Sequence, residues 1–457
     1  MNNISDLKQY IFPGSKGHLI GIGGVSMSPL AEVLLRRGVI VSGSDIAESG
    51  TVRHLRSLGI DVKIGHKPEN IVGVDFVVRT AAAHDDNPEI IEARKLGIPV
   101  FERAQAWGFI MQNYENALCI SGTHGKTTTT SMATHIFMEA QKDPTVMIGG
   151  TLPLLHSGYR VGKGDTIILE SCEYYNSFHS FCPTVAVILD IEADHLDFFK
   201  DLEDVKRSFR DFAALVPDDG YVVANLDDPN TMDALKGIDR RMVTFGLSEK
   251  ADMRGVNIRT EEGKTYFSVL KHGVPYTDLV LNVPGRHNVL NALAACTAAS
   301  LLGVSPEAIA RGLAGFTGAQ RRFEFKGTFN GARIYDDYAH HPGELHALLS
   351  AVSSLGYKRT IVAFQPHTFT RTNALFDDFV RELCAPDLVF LTEIYAAREK
   401  NTIGISSKDL ADRIPGSVFC SSFDELEEKL RETAAPGDII LTVGAGNIYV
   451  VGENLVK

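Results

Sequence analysis

The sequence has little of what several classes of protein require. No run of about 18 apolar residues occurs, so no segment is predicted to span a bilayer. Residues 1–14 contain no long apolar stretch, and we expect no signal peptide there. None of the six cysteines forms a C-x-x-C pair, which argues against a zinc knuckle and a thioredoxin-type motif. Scattered cysteines in a chain of this size fit reduced thiols, and we expect a cytoplasmic protein.

Positive charge is also scarce. The chain has 45 lysines and arginines against 57 aspartates and glutamates, which gives a formal net charge of -12. A broad basic face of the kind that nucleic acid requires is therefore not expected. A locally positive site for an anionic small molecule remains compatible with this charge. The hydrophobic content of 44% is ordinary for a globular protein.

Strand and helix patterns alternate along most of the 457 residues, which predicts an α/β fold with parallel sheets. We expect an N-terminal Rossmann-like domain, a central P-loop ATPase-type domain and a C-terminal Rossmann-like α/β domain. These three predicted domains cover residues 1–115, 116–317 and 318–457. In the central domain, residues 241–283 predict a small antiparallel patch with a turn at Glu261-Glu262-Gly263-Lys264.

The strongest motif is a glycine-rich turn between a strand ending at Ile120 and a helix predicted to begin near Thr127. Such a turn aims backbone N–H groups and a helix N-terminus at phosphates. Lys126 would reach the β- and γ-phosphates, and the Thr127 hydroxyl would bind Mg²⁺. Only two residues separate the glycines, where the standard motif has four, so a chance surface turn is the alternative. The motif comprises Gly122, Thr123, His124, Gly125, Lys126, Thr127 and Thr128.

Acidic residues and a histidine follow the next predicted strands of the central domain. Glu170 and Glu173 come after the strand at 166–169, where a carboxylate beside a phosphate loop is a natural Mg²⁺ ligand. Solvated glutamates at a strand end are the alternative. His195 could bind a second metal or a phosphate oxygen, although Asp194 beside it is equally suited to cap a helix.

Further polar residues predict where the nucleotide base and the transferred phosphate would bind. His287, Asn288 and Asn291 lie at a helix start, and the two amides share one helix face that can contact the edge of adenine. A helix-capping cluster is the alternative. Arg322 could stabilise charge on a transferring phosphoryl group, although a surface arginine is the more common case.

The C-terminal domain has a second strong motif at Tyr335–Pro342, where aspartates, tyrosines and histidines are too polar for a packed core. Asp337 could hold a ribose hydroxyl, and Tyr338 or His340 could line a pocket for an amine. Arg371 lies shortly after a strand end and is a candidate for binding an amino-acid carboxylate.

The first domain has a weaker glycine motif, Gly21-Ile22-Gly23-Gly24-Val25-Ser26, followed by Ser44 and Asp45 about 20 residues later. In a dehydrogenase this turn would hold the pyrophosphate of NAD. In an enzyme that uses a nucleotide sugar, the same turn would hold the diphosphate of the UDP-sugar. The phosphate loop downstream favours the second interpretation.

Taken in order, these motifs resemble those of the Mur ligase family over almost the whole chain. The resemblance implies ATP and Mg²⁺ as cofactors and a ligation through an acyl phosphate. The forms at Asp336–Pro342 and Phe364–His367 are most similar to family members that act on UDP-N-acetylmuramate and L-alanine. The alternatives are a recycling ligase that adds a tripeptide to the same sugar nucleotide and, in another class, an NAD-dependent oxidoreductase. A catalytically inactive nucleotide-binding module is a third.

The resemblance also implies roles for single residues. Lys126, Glu173, His195 and Arg322 would be catalytic, with Thr127, Glu173 and His195 as metal ligands. ATP would contact the phosphate loop together with His287, Asn288, Asn291, Arg322 and Asp337. The UDP-sugar would contact Gly21, Gly23, Gly24, Val25, Ser44 and Asp45, and the amino acid Tyr338, His340 and Arg371. The protein would be a monomer or a homodimer. The chain departs from the family pattern at Ser26, Pro29, Thr80–Ala83, Cys172 and Thr368.

Overall fold

The structure, a computed structural model, describes residues 4–261, 263–397 and 399–457. Its strands form three separate sheets of five, ten and six strands. Residues 1–3, and Glu262 of the predicted turn, lie outside the described residues. Within the described ranges, no helix is both long enough and apolar enough to cross a membrane.

The first sheet is entirely parallel, with the strand order β3-β2-β1-β4-β5. Its strands are β1 (Lys16–Ile20), β2 (Ile40–Asp45), β3 (Asp61–Ile64), β4 (Phe76–Arg79) and β5 (Val100–Glu102). Its helices are α1 (Met27–Arg36), α2 (Gly50–Ser57), α3 (Pro88–Leu96) and α4 (Arg103–Met111). The sequence predicts a first strand at His18–Ile22, but β1 ends at Ile20 because Gly21 adopts a φ of 73°, which leaves the strand conformation and suits glycine.

A buried carboxylate ties this first sheet to helix α3. Glu89 is fully buried and accepts hydrogen bonds from the Ser44 hydroxyl at 2.7 Å and the Asn70 amide at 2.5 Å. The Nε2 atom of His18 lies 3.6 Å from the same carboxylate. Burial alone would raise the pKa of Glu89, but the hydrogen bonds outweigh it and hold that pKa below its ordinary value. The network is therefore a charged element of the first core.

The second sheet has the order β15-β14-β13-β12-β11-β10-β6-β9-β7-β8. Its strands are β6 (Asn116–Ser121), β7 (Thr145–Leu152), β8 (Ser157–Arg160), β9 (Thr166–Glu170), β10 (Val185–Ile188), β11 (Tyr221–Asn225), β12 (Met242–Gly246), β13 (Met253–Glu261), β14 (Lys264–Lys271) and β15 (Val274–Leu281). Its helices are α5 (Lys126–Glu139), α6 (Leu202–Ala214), α7 (Pro229–Ala234), α8 (Arg286–Leu301) and α9 (Pro306–Ala314). Strands β13, β14 and β15 pair antiparallel, which confirms the predicted patch. The antiparallel pair β7 and β8 was not predicted.

The third sheet has the order β16-β17-β21-β18-β19-β20. Its strands are β16 (Glu324–Phe329), β17 (Ala332–Asp337), β18 (Arg359–Phe364), β19 (Leu388–Thr392), β20 (Val418–Cys420) and β21 (Asp438–Val443). Its helices are α10 (Pro342–Ser353), α11 (Phe369–Ala374), α12 (Phe376–Leu383), α13 (Ser407–Ala411), α14 (Phe423–Thr433) and α15 (Tyr449–Leu455). The sequence predicts only parallel strands here, but β16 runs antiparallel to β17. The two-residue turn Asn330-Gly331, with φ values of 48° and 76°, joins the two strands. A turn this short permits only an antiparallel pair.

The three units contact one another through two different kinds of surface. One cluster of buried apolar side chains runs without interruption from the first unit to one face of the second sheet, and includes Trp107 and Phe178. The clusters of the third unit contain only residues of that unit. Its contacts with the second unit instead include ion pairs such as Arg371 with Asp194. The first two units are therefore held by apolar packing, whereas charges join the third.

Replacing Glu89 with glutamine is expected to lower the free energy of unfolding of the first unit at pH 7 by about 1–3 kcal/mol, because a charged hydrogen-bond acceptor is lost. Since the pKa of Glu89 is lowered in the folded state, its contribution is present above the pKa of the unfolded chain and is lost as the pH falls through the folded pKa. The difference between wild type and variant should therefore shrink as the pH is lowered from 7 to about 3.

Urea unfolding followed by the fluorescence of Trp107 measures this difference, because that residue is the one tryptophan of the chain and lies in α4. Glu92→Gln, on the same helix but with its side chain paired to Lys95 at the surface, is the matched control and should change little. Equal destabilisation of the Glu89 variant at both pH values would contradict the assignment.

Candidate active site

Two glycines set the shape of the phosphate loop between β6 and α5. Gly122 has a φ of 149° and Gly125 a φ of 77°. A Cβ atom at Gly125 would lie 2.4 Å from Oδ1 of Asn291, so a larger residue does not fit. On the other side, the backbone N–H of His124 donates to Oδ1 of Asp190 at 2.7 Å. The loop is thus held from two sides, and α5 begins at Lys126, one residue before the predicted start.

The side chain of Lys126 lies inside the site rather than in solvent. Its Nζ donates to the backbone oxygen of Thr123 at 3.1 Å and lies 3.1 Å from Oε2 of Glu173. Burial alone would lower the pKa of Lys126, but the charge of Glu173 outweighs it and raises that pKa above its ordinary value. Lys126 is therefore a buried, charged ammonium group beside the phosphate loop.

Oxygen donors for a divalent cation surround the start of α5. The Thr127 hydroxyl donates to Oε1 of Glu170 at 3.1 Å, and the other oxygen of Glu170 accepts from the N–H of Gly149 at 2.7 Å. Oε1 of Glu173 lies 3.7 Å from Nε2 of His195. A hydroxyl and two carboxylates are the donors that Mg²⁺ prefers, so these residues fit that ion. The three predicted metal ligands, Thr127, Glu173 and His195, thus lie near the start of α5, together with Glu170, the other carboxylate that the sequence suggested.

His195 is held in place by an aromatic neighbour. Its ring stacks on Tyr174 with 4.2 Å between ring centroids and 21° between ring planes. The hydroxyl of Tyr174 also donates to Asp197. The backbone of His195 has a φ of 52°, a left-handed conformation that the surrounding contacts must maintain.

A cavity of about 250 Å³ opens beside the phosphate loop, between the second and third units. Asn288 and Asn291 line it, and the Asn288 amide also donates to the backbone oxygen of Pro284 at 2.6 Å. Asn288 is therefore tied to the loop before α8 while its side chain borders the cavity. Burial, assisted by the charge of Arg322, lowers the pKa of His287 to about 4, so this lining residue is neutral. Apolar walls are formed by Phe245, Val283, Leu290 and Phe316.

The third unit closes this cavity with Arg322 and Asp337. Nη1 of Arg322 lies 3.8 Å from Oε1 of Glu344. The Asp337 carboxylate accepts hydrogen bonds from the N–H groups of Phe323 at 2.7 Å and Ala339 at 2.8 Å. Burial raises the pKa of Asp337 to about 6, against the opposing charge of Arg322. Both predicted residues therefore face the same space as the phosphate loop.

A second cleft, of about 1250 Å³, is lined by residues of all three units. Arg371 lines it and forms an ion pair with Asp194, 2.9 Å from Nη2 to Oδ1. Burial would raise the pKa of Asp194, but the charge of Arg371 lowers it well below its ordinary value. Nη1 of Arg371 also lies 3.2 Å from Nδ1 of His367. The candidate carboxylate-binding residue is thus occupied by an internal carboxylate.

The other two residues predicted on the amino-acid side, Tyr338 and His340, contact side chains of the third unit. The ring of Tyr338 lies 4.9 and 5.2 Å from the guanidinium carbons of Arg321 and Arg322. His340 is next to the cleft residue His367, with 5.6 Å between ring centroids. Burial lowers the pKa of His340 to about 4. In the described part of the chain, neither Tyr338 nor His340 lines either cleft, and their amino-acid contacts stay predictions.

Two basic residues of the first unit, which the sequence motifs did not indicate, line the larger cleft. Arg79 is the last residue of β4 and donates to Glu102 at 2.6 Å and Asp85 at 2.7 Å. Arg103 directly follows β5. Both stand at carboxyl ends of parallel strands, where α/β sheets collect ligand-binding residues, so this positional rule could have identified them.

The glycine turn of the first unit is supported by its own neighbours. The N–H of Gly21 donates to the backbone oxygen of Ser44 at 2.8 Å, and the N–H of Gly23 donates to Oδ2 of Asp45 at 2.8 Å. Val25 is 64% exposed, whereas Ser44 is fully buried against Glu89. Ser44 therefore reaches the turn through its backbone only. Gly24 completes the turn, and the contacts of these residues with a UDP-sugar stay predictions.

The site consists of a phosphate loop with adjacent carboxylates, and two further α/β units complete its clefts. This arrangement defines a nucleoside-triphosphate-dependent enzyme of three units. Three family models match the chain in order. They are the Mur ligase family catalytic domain at residues 16–115, the Mur ligase middle domain at 120–299 and the Mur ligase glutamate ligase domain at 321–446. The chain belongs to the Mur ligase family.

Individual relatives match over nearly their full length. The UDP-N-acetylmuramate–L-alanine ligase of Caldanaerobacter subterraneus subsp. tengcongensis is 46% identical over 445 residues, which cover 96% of this chain and 97% of the relative. That of Clostridium novyi is 46% identical over 442 residues, 96% of each chain. The crystal structure of the Thermotoga maritima UDP-N-acetylmuramate–alanine ligase superposes with a TM-score of 0.79 at 30% identity, covering 96% of this chain and 98% of that chain.

Lys126→Ala is expected to lower the turnover of ATP by about 10²- to 10³-fold or more, because a preorganised positive charge at the phosphates is lost. Phosphate release under saturating substrates measures the effect, and circular dichroism verifies that the variant folds. Lys95→Ala, which removes an exposed lysine of the first unit, is the matched control and should leave turnover unchanged. Near-normal turnover of a folded Lys126→Ala protein would exclude the catalytic role.

Proposed function

We propose that the protein joins L-alanine to the carboxylate of UDP-N-acetylmuramate with consumption of ATP, a step of peptidoglycan precursor synthesis. The observation that carries the proposal is the combination of the Lys126–Glu173 site with relatives of that activity at 46% identity over 96% of the chain. A carboxylate is a poor electrophile, so an enzyme that forms an amide from it must first activate it. ATP bound at the phosphate loop would supply the phosphoryl group that activates this carboxylate.

The reaction has two steps. An oxygen of the sugar carboxylate attacks the γ-phosphorus of ATP. The bond between the γ-phosphorus and the β-phosphate oxygen breaks, so that ADP departs and an acyl phosphate forms. The nitrogen of the alanine amine then attacks the acyl carbon, inorganic phosphate leaves, and the amine gives up a proton. Catalysis is mainly positioning and charge stabilisation, as in other phosphoryl transfers.

The charged side chains of the site have separate roles in this proposal. Lys126 binds the phosphates and neutralises charge that develops between them. Arg322 closes the cavity from the third unit and contacts the transferring phosphoryl group. Thr127, Glu173 and His195 would hold Mg²⁺, which would supply further charge neutralisation. Each of these groups lies next to the phosphate loop, so none requires a long rearrangement.

The three units would divide the substrates among them. Residues 1–115 would bind the UDP-sugar, residues 116–317 would bind ATP, and residues 318–457 would complete the ATP and amino-acid sites. Adenine would fill the apolar part of the smaller cavity against Asn288 and Asn291, with its ribose at Asp337. The reaction would take place in the cytoplasm, in agreement with six free cysteines.

Phosphate release from ATP tests the proposal directly. With Mg²⁺ and UDP-N-acetylmuramate present, we expect release that depends on L-alanine and is much weaker with L-serine or glycine. Omission of the sugar nucleotide should abolish release, because no carboxylate would be available to attack. Release with only the L-alanyl-γ-D-glutamyl tripeptide would instead identify a recycling ligase, and no release with any amine would overturn the proposal.

Arg371→Lys is expected to raise the KM for L-alanine by about 10- to 100-fold, because an ammonium group cannot form the paired hydrogen bonds that a guanidinium makes with a carboxylate. The KM for ATP should change by less than about twofold, since Arg371 does not line the smaller cavity. Arg381→Lys, an exposed arginine of helix α12, is the matched control. An unchanged KM for L-alanine would exclude Arg371 from the amino-acid site.

A further inference from the structure

Two histidines and a carboxylate converge between the phosphate loop and helix α10. One ligand atom from each of His124, Glu192 and His341 lies within 4.8 Å of the others. Oε2 of Glu192 lies 3.1 Å from Nε2 of His124 and 3.6 Å from Nδ1 of His341. The proposed ligation uses neither Glu192 nor His341, so the reaction does not account for this cluster.

The surroundings of His124 match those of a metal-binding histidine. Its other ring nitrogen, Nδ1, lies 3.5 Å from Oε1 of Glu344. The other oxygen of Glu344 is fixed by the N–H of His340 at 2.9 Å. In metal proteins, a ligating imidazole commonly directs its second nitrogen at a carboxylate, which orients the ring. Glu344 stands where that orienting carboxylate is needed.

The cluster also has space beside its donor atoms. A Cβ atom at Gly343 would lie 3.0 Å from Oε2 of Glu192 and 3.4 Å from Nε2 of His124, so the absence of a side chain there leaves room next to both donors. His341 is only 5% exposed, yet its Nε2 has no hydrogen-bond partner among the described residues. Nδ1 of His341 accepts the N–H of Gly343 at 3.2 Å, so Nε2 is the ring nitrogen that remains available to a metal.

The donor set indicates which ion would bind. Ligands about 2.1 Å from a tetrahedral Zn²⁺ lie roughly 3.4 Å from one another, and the 3.1 Å between Oε2 of Glu192 and Nε2 of His124 is close to that value. Imidazole favours zinc and neighbouring transition metals, whereas Mg²⁺ prefers oxygen donors. Three protein ligands would leave a fourth position for water.

We propose that His124, Glu192 and His341 form a transition-metal site that prefers Zn²⁺. His124 belongs to the phosphate loop and His341 stands immediately before α10, so a bound ion links the second unit to the third. Such a link would keep the nucleotide cavity closed. Zn²⁺ would therefore slow turnover, because nucleotide must enter and leave that cavity. The site is separate from the Mg²⁺ ligands and does not depend on which amine is the substrate.

The test is titration of the metal-free, full-length protein with Zn²⁺ and with Co²⁺ in the absence of nucleotide. A site of nitrogen and oxygen donors gives Co²⁺ visible absorption bands without a thiolate charge-transfer band. The competing cluster is Cys172, Glu173 and His195, whose thiol would give that additional band. Repeating the titration with Cys172→Ser protein therefore separates the two sites. We expect one tightly bound ion per chain in both proteins.

Two variants identify the ligands. His341→Asn keeps an acceptor for the N–H of Gly343, and Glu192→Gln keeps a partner for His124, but each removes one metal donor. Each should weaken Zn²⁺ binding by more than about 100-fold, since even residues that only orient ligands cost 10- to 100-fold. His346→Asn, an exposed histidine on the same helix, is the matched control and should bind Zn²⁺ normally.

The outcomes separate this proposal from its alternatives. Loss of binding in Glu192→Gln supports the site even if His341→Asn does not fold. Wild-type affinity in both folded variants overturns it, and so does a charge-transfer band that Cys172→Ser abolishes together with binding. Because no substrate is present, these results stand whether or not L-alanine proves to be the amine.

Discussion

The carboxyl ends of parallel strands from three separate sheets meet in one place, and the chemistry of the site depends on that convergence. Strand β4 ends at Arg79, β9 at Glu170 and β17 at Asp337, and each of these residues borders the site. Sheets of this type leave a crevice outside their carboxyl edges. A single sheet offers one crevice, whereas three sheets facing one another enclose a space large enough for several substrates.

The two interfaces between the units, called seams here, differ in the cost of separating the units. The seam between the first and second units is apolar, and water that entered it would meet side chains such as Trp107 and Phe178. The seam to the third unit contains ion pairs, among them Arg371 with Asp194. Charged groups can exchange a protein partner for water or for a substrate, so this seam can open at a lower cost than the apolar one. Motion is therefore expected at the third unit.

Sequence patterns identified the features that are local. The phosphate loop, the alternation of strands and helices and the antiparallel patch in the second unit all follow from residues close together in the chain. The hairpin of β16 and β17 was missed, although Asn330-Gly331 is a turn signal within two residues. A search for such pairs at the edge of each predicted sheet would have found it.

Other properties depend on neighbours that are distant in the sequence. Ser44 looks like a loop residue beside Asp45, but its hydroxyl is used by Glu89, 45 residues later. Tyr338 looks free to line a pocket, yet its ring packs against the guanidinium groups of Arg321 and Arg322. Pattern and propensity carry no information about such partners, so these contacts could not be predicted from the sequence.

The contact between Gly125 and Asn291 fixes two parts of the nucleotide site relative to each other. The phosphate loop and helix α8 touch so closely that not even a methyl group fits between them. On the proposed assignment, one of these parts holds the phosphates and the other the base. Because their separation is fixed, the site fits a nucleotide of one length. A longer molecule could not bind at both ends at once.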